Sequence, residues 1–195
     1  MLRQGYAKLG VSVQFKVFPA ERALAMSNAG KSDGELVRIK GIGVRYPNLI
    51  WIPVSHVTAE QMAFAADVDV KITGWPSLAP FRLAFHRGYK VAERNTEGMT
   101  RHLTGTAESA FMMVSKGRAD LAIANRFTGA QIIAKLELGN VVMLNPPVQR
   151  NPLYHYLHKK HQALSVQITR VLKDMAASGT IAEIRKKYGV GQLRD

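Results

Sequence analysis

Ser115-Lys116-Gly117-Arg118-Ala119-Asp120-Leu121-Ala122-Ile123 is the stretch whose reading decides the fold. The apolar run before it, Ala110 to Val114, follows Thr106, a residue suited to cap a helix. Glu108 lies in the first turn, where a negative charge favours the helix dipole. Lys116-Gly117 supplies a C-terminal stop, because glycine adopts the left-handed conformation that ends helices. Ala119 to Ala124 is then a short, wholly apolar run of strand length. A helix that stops at glycine and returns at once as a buried strand is the repeating step of an α/β fold.

The same alternation extends in both directions. Val11, Val13, Phe15 and Val17 recur at a period of two and predict a strand over Val11–Phe18. Pro19 opens a helix through Met26, with Gly30 as its stop. Glu35–Ile39 and Leu49–Val54 read as short strands around the turn Arg45-Tyr46-Pro47-Asn48. Met62–Val70 is extended until Gly74-Trp75-Pro76-Ser77 breaks it. Phe81–His86 is a strand and a helix begins near Gly88. Phe127–Leu136 reads as helix, Val141–Leu144 and Leu153–Leu157 as strands. In the tail, Leu164, Ile168, Val171, Leu172 and Met175 mark one buried helical face. After Ser178-Gly179, Thr180 and Glu183 form a capping box for a last helix closed by Lys186, Lys187 and Gly189.

Composition narrows the function classes. A chain of 195 residues with 47% hydrophobic content and no low-complexity tract folds as a globular protein. The absence of cysteine excludes thiol nucleophiles, thiolate metal sites and disulfides. The formal charge of +13 favours anionic partners. The basic residues are dispersed, however, with only short clusters at Arg185-Lys186-Lys187 and His158 to His161. A nucleic-acid partner is therefore not expected. No apolar run reaches the roughly 20 residues that cross a bilayer. Met1 to Tyr6 shows no secretory leader.

Three stretches, in order, resemble the family 3 extracellular solute-binding proteins, which have the type 2 periplasmic binding protein fold. The first is Arg22-Ala23-Leu24 through Asn28 to Glu35. The second is the Ser115–Ile123 turn. The third is Met175-Ala176-Ala177-Ser178-Gly179-Thr180-Ile181 through Tyr188-Gly189. The resemblance covers nearly the whole chain from Val11. It implies two lobes, each a sheet flanked by helices: residues 1–63 with 147–195, and residues 64–146, with hinge crossings near 63–66 and 145–148. It also implies that the first lobe lacks its opening strand, through truncation or with the gap filled by a strand-completing dimer instead of a monomer. The implied function is capture of a small polar ligand, carboxylate-bearing or amino-acid-like, in the cleft between lobes for an ABC-type membrane permease in the periplasm. A cytoplasmic location remains the other option, and a ligand-sensing regulatory domain on the same fold is the alternative role.

Site residues follow from that resemblance and from the expectation that ligands lie at strand ends and helix N-termini. They are Glu35 and Arg38 in the first lobe, and Arg87, Gly88, Tyr89, Asn125 and Arg126 in the second. Arg87-Gly88-Tyr89 follows a strand and opens a helix, so its amides suit an anion. Amino-acid binders of this family place an aspartate for the ammonium group near the position of Asn125, which is neutral here and followed by Arg126. Glu35 and Arg38, three apart in a strand, are expected on opposite faces. Trp75 beside Pro76 reads as a packing anchor. His155, His158 and His161 are split by a strand and do not form a metal site. No cofactor is expected, and with no acid–base constellation the chain reads as a binder and not an enzyme.

Overall fold

The computed structural model describes residues 1–187. Tyr188 and Gly189 of the expected closing motif lie outside the described residues. The chain divides into two compact units, Met1–Thr58 with the chain from Asn151 onward, and Ala59–Arg150. It is a mixed α/β fold in which β2 (Leu49–Ala65) leads out of the first unit and β7 (Gln149–His158) leads back.

In the second unit, β3 (Leu83–His86) and β4 (Arg101–Thr104) run parallel. β5 (Leu121–Asn125) is parallel to β3 and antiparallel to the end of β2, with Gln61 opposite Asn125 and Phe64 opposite Ala122. The two-residue β6 (Val142–Met143) pairs with Phe64 and Ala65. Alternate residues serve two cores. Met62, Phe64, Ala84, Ala122 and Ala124 pack against Phe111 and Val114 of α4 (Ala107–Ser115) and Ile132 of α5 (Arg126–Lys135). Ala63, Ala65, Leu83, Phe85, Leu121 and Ile123 face the other way, towards Trp75, Leu78 and Ala92. A sheet covered on both faces needs apolar residues at every position, which is why β5 reads as an unbroken run. Thr106 caps α4 as expected, its hydroxyl accepting from the Ser109 amide at 3.1 Å. Gly117, at φ 67°, ends that helix. Strand β4 was not expected: Arg101-His102-Leu103-Thr104 is polar because it is the outermost strand.

In the first unit the strand order is β1 (Gly34–Arg38), β7, β2. Helix α1 (Leu2–Ala7) packs on α6 (Gln162–Ala177), joining Leu2 and Tyr6 to Ile168, Leu172 and Met175. The helix after Pro19 is α2 (Ala20–Asn28), and the last is α7 (Thr180–Lys187).

Three sequence expectations are corrected. Val11–Phe18 is not a strand, because among the described residues no neighbouring strand pairs with it. Leu49–Val54 and Met62–Val70 are not separate: the mostly polar stretch Ser55 to Gln61 joins them in β2, which ends at Ala65. The Thr180–Glu183 capping box is not formed; Thr180 is already helical, and its hydroxyl lies 2.9 Å from that of Ser178.

Candidate ligand site

The second unit gathers a polar cluster where β2 and β5 lie side by side. Glu60 and Gln61 interrupt the apolar end of β2, and Gln61 is in register with Asn125, the last residue of β5. The Asn125 side chain caps α5, accepting from the Phe127 amide at 3.1 Å. That cap starts the helix at Arg126, whose Nε donates to the Glu60 carboxylate. Arg150, at the start of β7, donates to the other oxygen of Glu60 at 3.0 Å. Glu60 is only 5% exposed, so its charge is held by two guanidinium groups away from water.

Neighbouring groups are also paired. The Tyr89 hydroxyl donates to the Gln61 side-chain oxygen. Burial pushes the Tyr89 phenol up to about 12, so it stays protonated as a donor. The His86 ring stacks on Tyr89 at 5.1 Å between centroids. Trp75 Nε1 donates to Gln149 at 2.8 Å. Two arginines against one glutamate leave one excess positive charge. Each guanidinium offers five N–H donors, and Glu60 takes only part of them. The arrangement favours a carboxylate or another planar anion.

The expected site residues are therefore distributed in three ways. Asn125, Arg126 and Tyr89 belong to this cluster. Gly88 does not offer a free amide: its N–H donates to the Glu93 carboxylate at 2.7 Å, and Lys90 holds the same side chain. Those two contacts, the lysine first, hold the Glu93 carboxyl below its usual range. The Arg87-Gly88-Tyr89 turn thus carries an anion from its own chain, which corrects the expectation of an open anion site. Arg87 itself is exposed, and its side chain has no partner among the described residues.

In the first unit, Glu35 and Arg38 are not on opposite faces. Glu35 is opposite Tyr156 and Arg38 opposite Tyr154, so three steps along β1 match two along β7. This bulge turns both side chains to one side. Arg38 Nε donates to Glu35 at 2.8 Å, and the Ser27 hydroxyl donates to the other carboxylate oxygen. His155 is fully engaged: its Nδ1 lies 2.7 Å from the Glu35 carbonyl and its Nε2 2.7 Å from the Tyr6 hydroxyl. A carbonyl only accepts, so Nδ1 carries the proton and Nε2 accepts from Tyr6. Burial pushes His155 down to about 4, against the opposing pull of the Glu35 carbonyl. Among the described residues no cluster of three histidine, aspartate or glutamate side chains is placed to hold a metal.

Glu60, Gln61 and Arg150 were missed. A lone acid within an otherwise apolar strand end was the available signal for Glu60. Nothing local marks Arg150, which lies 90 positions away.

No family model matches the chain. An uncharacterised protein of Shewanella oneidensis is 28% identical over 190 residues, covering 93% of this chain and 71% of the relative. A histidine kinase sensor domain with similarity to periplasmic binding proteins matches 95% of this chain and 82% of its own, at 20% identity and a TM-score of 0.67. A mutant of ArgBP from T. maritima covers the same shares at 17% identity and a TM-score of 0.63. The ancestral amino acid-binding protein AncCDT-1, a precursor of cyclohexadienyl dehydratase, does so at 23% identity and a TM-score of 0.63. The chain has the fold of periplasmic binding proteins.

Proposed function

We propose that this chain is a solute-binding protein that captures a small carboxylate-bearing or amino-acid-like solute and presents it to an ABC-type membrane permease in the periplasm. The observation that carries the reading is the Arg126–Glu60–Arg150 cluster beside Asn125, Gln61 and Tyr89. It supplies excess donors for a carboxylate, with Glu60 holding the two guanidinium groups in place. Arg87, Gly88, Glu35 and Arg38 remain secondary candidates, because none of them belongs to the two-arginine cluster. The resemblance to amino acid-binding proteins supports the solute class.

Catalysis is not part of this reading. Both oxygens of Glu60 are held by arginines, which leaves no free base in the cluster. A second role, ligand sensing, is favoured by the likeness to the kinase sensor domain and uses the same binding step. The two roles separate by whether the liganded protein stimulates a reconstituted permease.

The test is a thermal-shift panel of amino acids, organic acids and short peptides on the full chain. A true ligand at a hundredfold its Kd adds about 2.7 kcal/mol of stability. Arg150→Ala, at a half-exposed position, is expected to weaken that ligand at least tenfold while the protein stays folded. A panel without any shift, or a ligand indifferent to Arg150→Ala and Arg126→Lys, overturns the proposal.

A further inference from the structure

The polar cluster of the second unit is rich in donors and poor in acceptors. The Phe127 amide only donates, so the Asn125 atom facing it at 3.1 Å is the side-chain oxygen. That contact leaves the side-chain nitrogen, with its two N–H donors, as the group Asn125 offers. The Gln61 oxygen is taken by the Tyr89 hydroxyl. Both oxygens of Glu60 are taken by Arg126 and Arg150. Among the described residues no other acid pairs with either arginine. The arginine side chains are 22% and 46% exposed, against 6% for Glu60, so the donors reach solvent and the carboxylate does not.

Charge points the same way. Helix α5 has no acidic residue in its first turn and begins instead with Arg126, a cation at the positive end of the helix dipole. Glu60 cancels one of the two guanidinium charges and leaves one in excess. Like charge at a helix start is unfavourable by itself and is relieved by an anion from outside. In the first unit Glu35, the acid expected to face a ligand, is held by Arg38 at 2.6 Å and by the Ser27 hydroxyl. Neither candidate carboxylate is left to receive an ammonium group, which brings three donors and a positive charge.

We propose that the solute is an organic acid without an ammonium group and that Asn125 sets this preference. The inference rests on the binding role proposed above and narrows it from carboxylate-bearing solutes in general to the amine-free ones. The solute carboxylate takes remaining N–H donors of Arg126 and Arg150. The Asn125 amide donates to a further solute oxygen, whether hydroxyl, keto or a second carboxylate. An amino acid would set its ammonium group against the same donors and the same excess charge, with no side-chain acceptor to meet it. The site thus discriminates by unpaired, like-charged groups and not by size.

Isothermal titration of the full chain with matched pairs tests this: succinate against L-aspartate, glutarate against L-glutamate, and lactate against L-alanine. The amine-free member of a binding pair is expected to bind at least tenfold tighter, with an affinity that falls as salt rises. Asn125→Asp keeps the helix cap, since aspartate caps as well as asparagine, and adds an acceptor and a negative charge. With its melting temperature retained, this variant is expected to bind the amine-free acid at least tenfold more weakly and to narrow or reverse the preference. An unchanged ranking in Asn125→Asp overturns the role of Asn125, because a residue that only caps the helix does not alter ligand choice. A wild-type ligand that carries an ammonium group, from these pairs or from the wider thermal-shift panel, overturns the inference and leaves the binding role standing. Absence of binding across both sets overturns the two together.

Discussion

The two units solve the same packing problem with different materials. In the second, β2, β3 and β5 are apolar on both faces and sheathed on each, and the polar groups gather at one strand end. In the first, polar side chains enter the interior: Tyr6, Glu35, His56 and His155 are all buried. Most are hydrogen-bonded, but His56 is not. An apolar interior tolerates acid and small displacements, whereas a polar interior depends on protonation states and on each partner staying in place.

The largest test of that contrast is steric. A Cβ at Gly129 would meet the Phe64 ring at 2.0 Å, and one at Gly34 would meet the Tyr156 carbonyl oxygen at 2.1 Å. Both alanine variants are expected to lose about 1–3 kcal/mol or more in urea unfolding. Gly34→Ala should lose more, since a backbone carbonyl within a sheet has less freedom to shift than a ring.

Acid should separate the units next. His56 and His155 are both pushed to about 4, chiefly by burial; His56 is also repelled by His155 and Arg185. Below pH 6.5 the unfolded chain binds protons that these folded histidines refuse. Stability is thus complete above 6.5, falls as pH drops towards 4, and then levels off. The loss is on the order of 3 kcal/mol per histidine, at about 1.4 kcal/mol per pKa unit. In the second unit Asp120 and Glu93 lie below their usual range, held first by Arg82 and Lys90 respectively, so their contribution fades only at lower pH. Trp51 reports on the first unit and Trp75 on the second. In single-tryptophan variants the Trp51 signal should change at higher pH than that of Trp75. Coincident transitions would break the comparison.

Smaller effects refine it. Tyr6→Phe leaves His155 Nε2 without its donor and should cost about 1–3 kcal/mol in the first unit by denaturant melt. Arg82→Ala removes an ion pair with Asp120 at 2.7 Å, but Arg82 is half-exposed. Its expected loss is the smallest of the set and diminishes with salt.

The resemblance read from three ordered motifs named the fold, and the likeness to periplasmic binding proteins agrees with it. Of the candidate site, Asn125, Arg126 and Tyr89 were legible because strand ends and helix starts are local features. Glu60 and Arg150 were not, since their pairing depends on how β2 and β7 are brought together.

By itself, the sequence determined whatever depends on neighbours along the chain. Thr106 capped its helix, Gly117 ended it, and the unbroken run after Asp120 became a doubly covered strand. Only the tertiary structure decided whether an alternating segment becomes a strand. Val11–Phe18 has the right period, yet a strand is a relation between two chains of hydrogen bonds, and among the described residues no strand pairs with it. The same dependence on a neighbour set Glu35 against Arg38, because the bulge opposite β7, and not their spacing, determined which way they point.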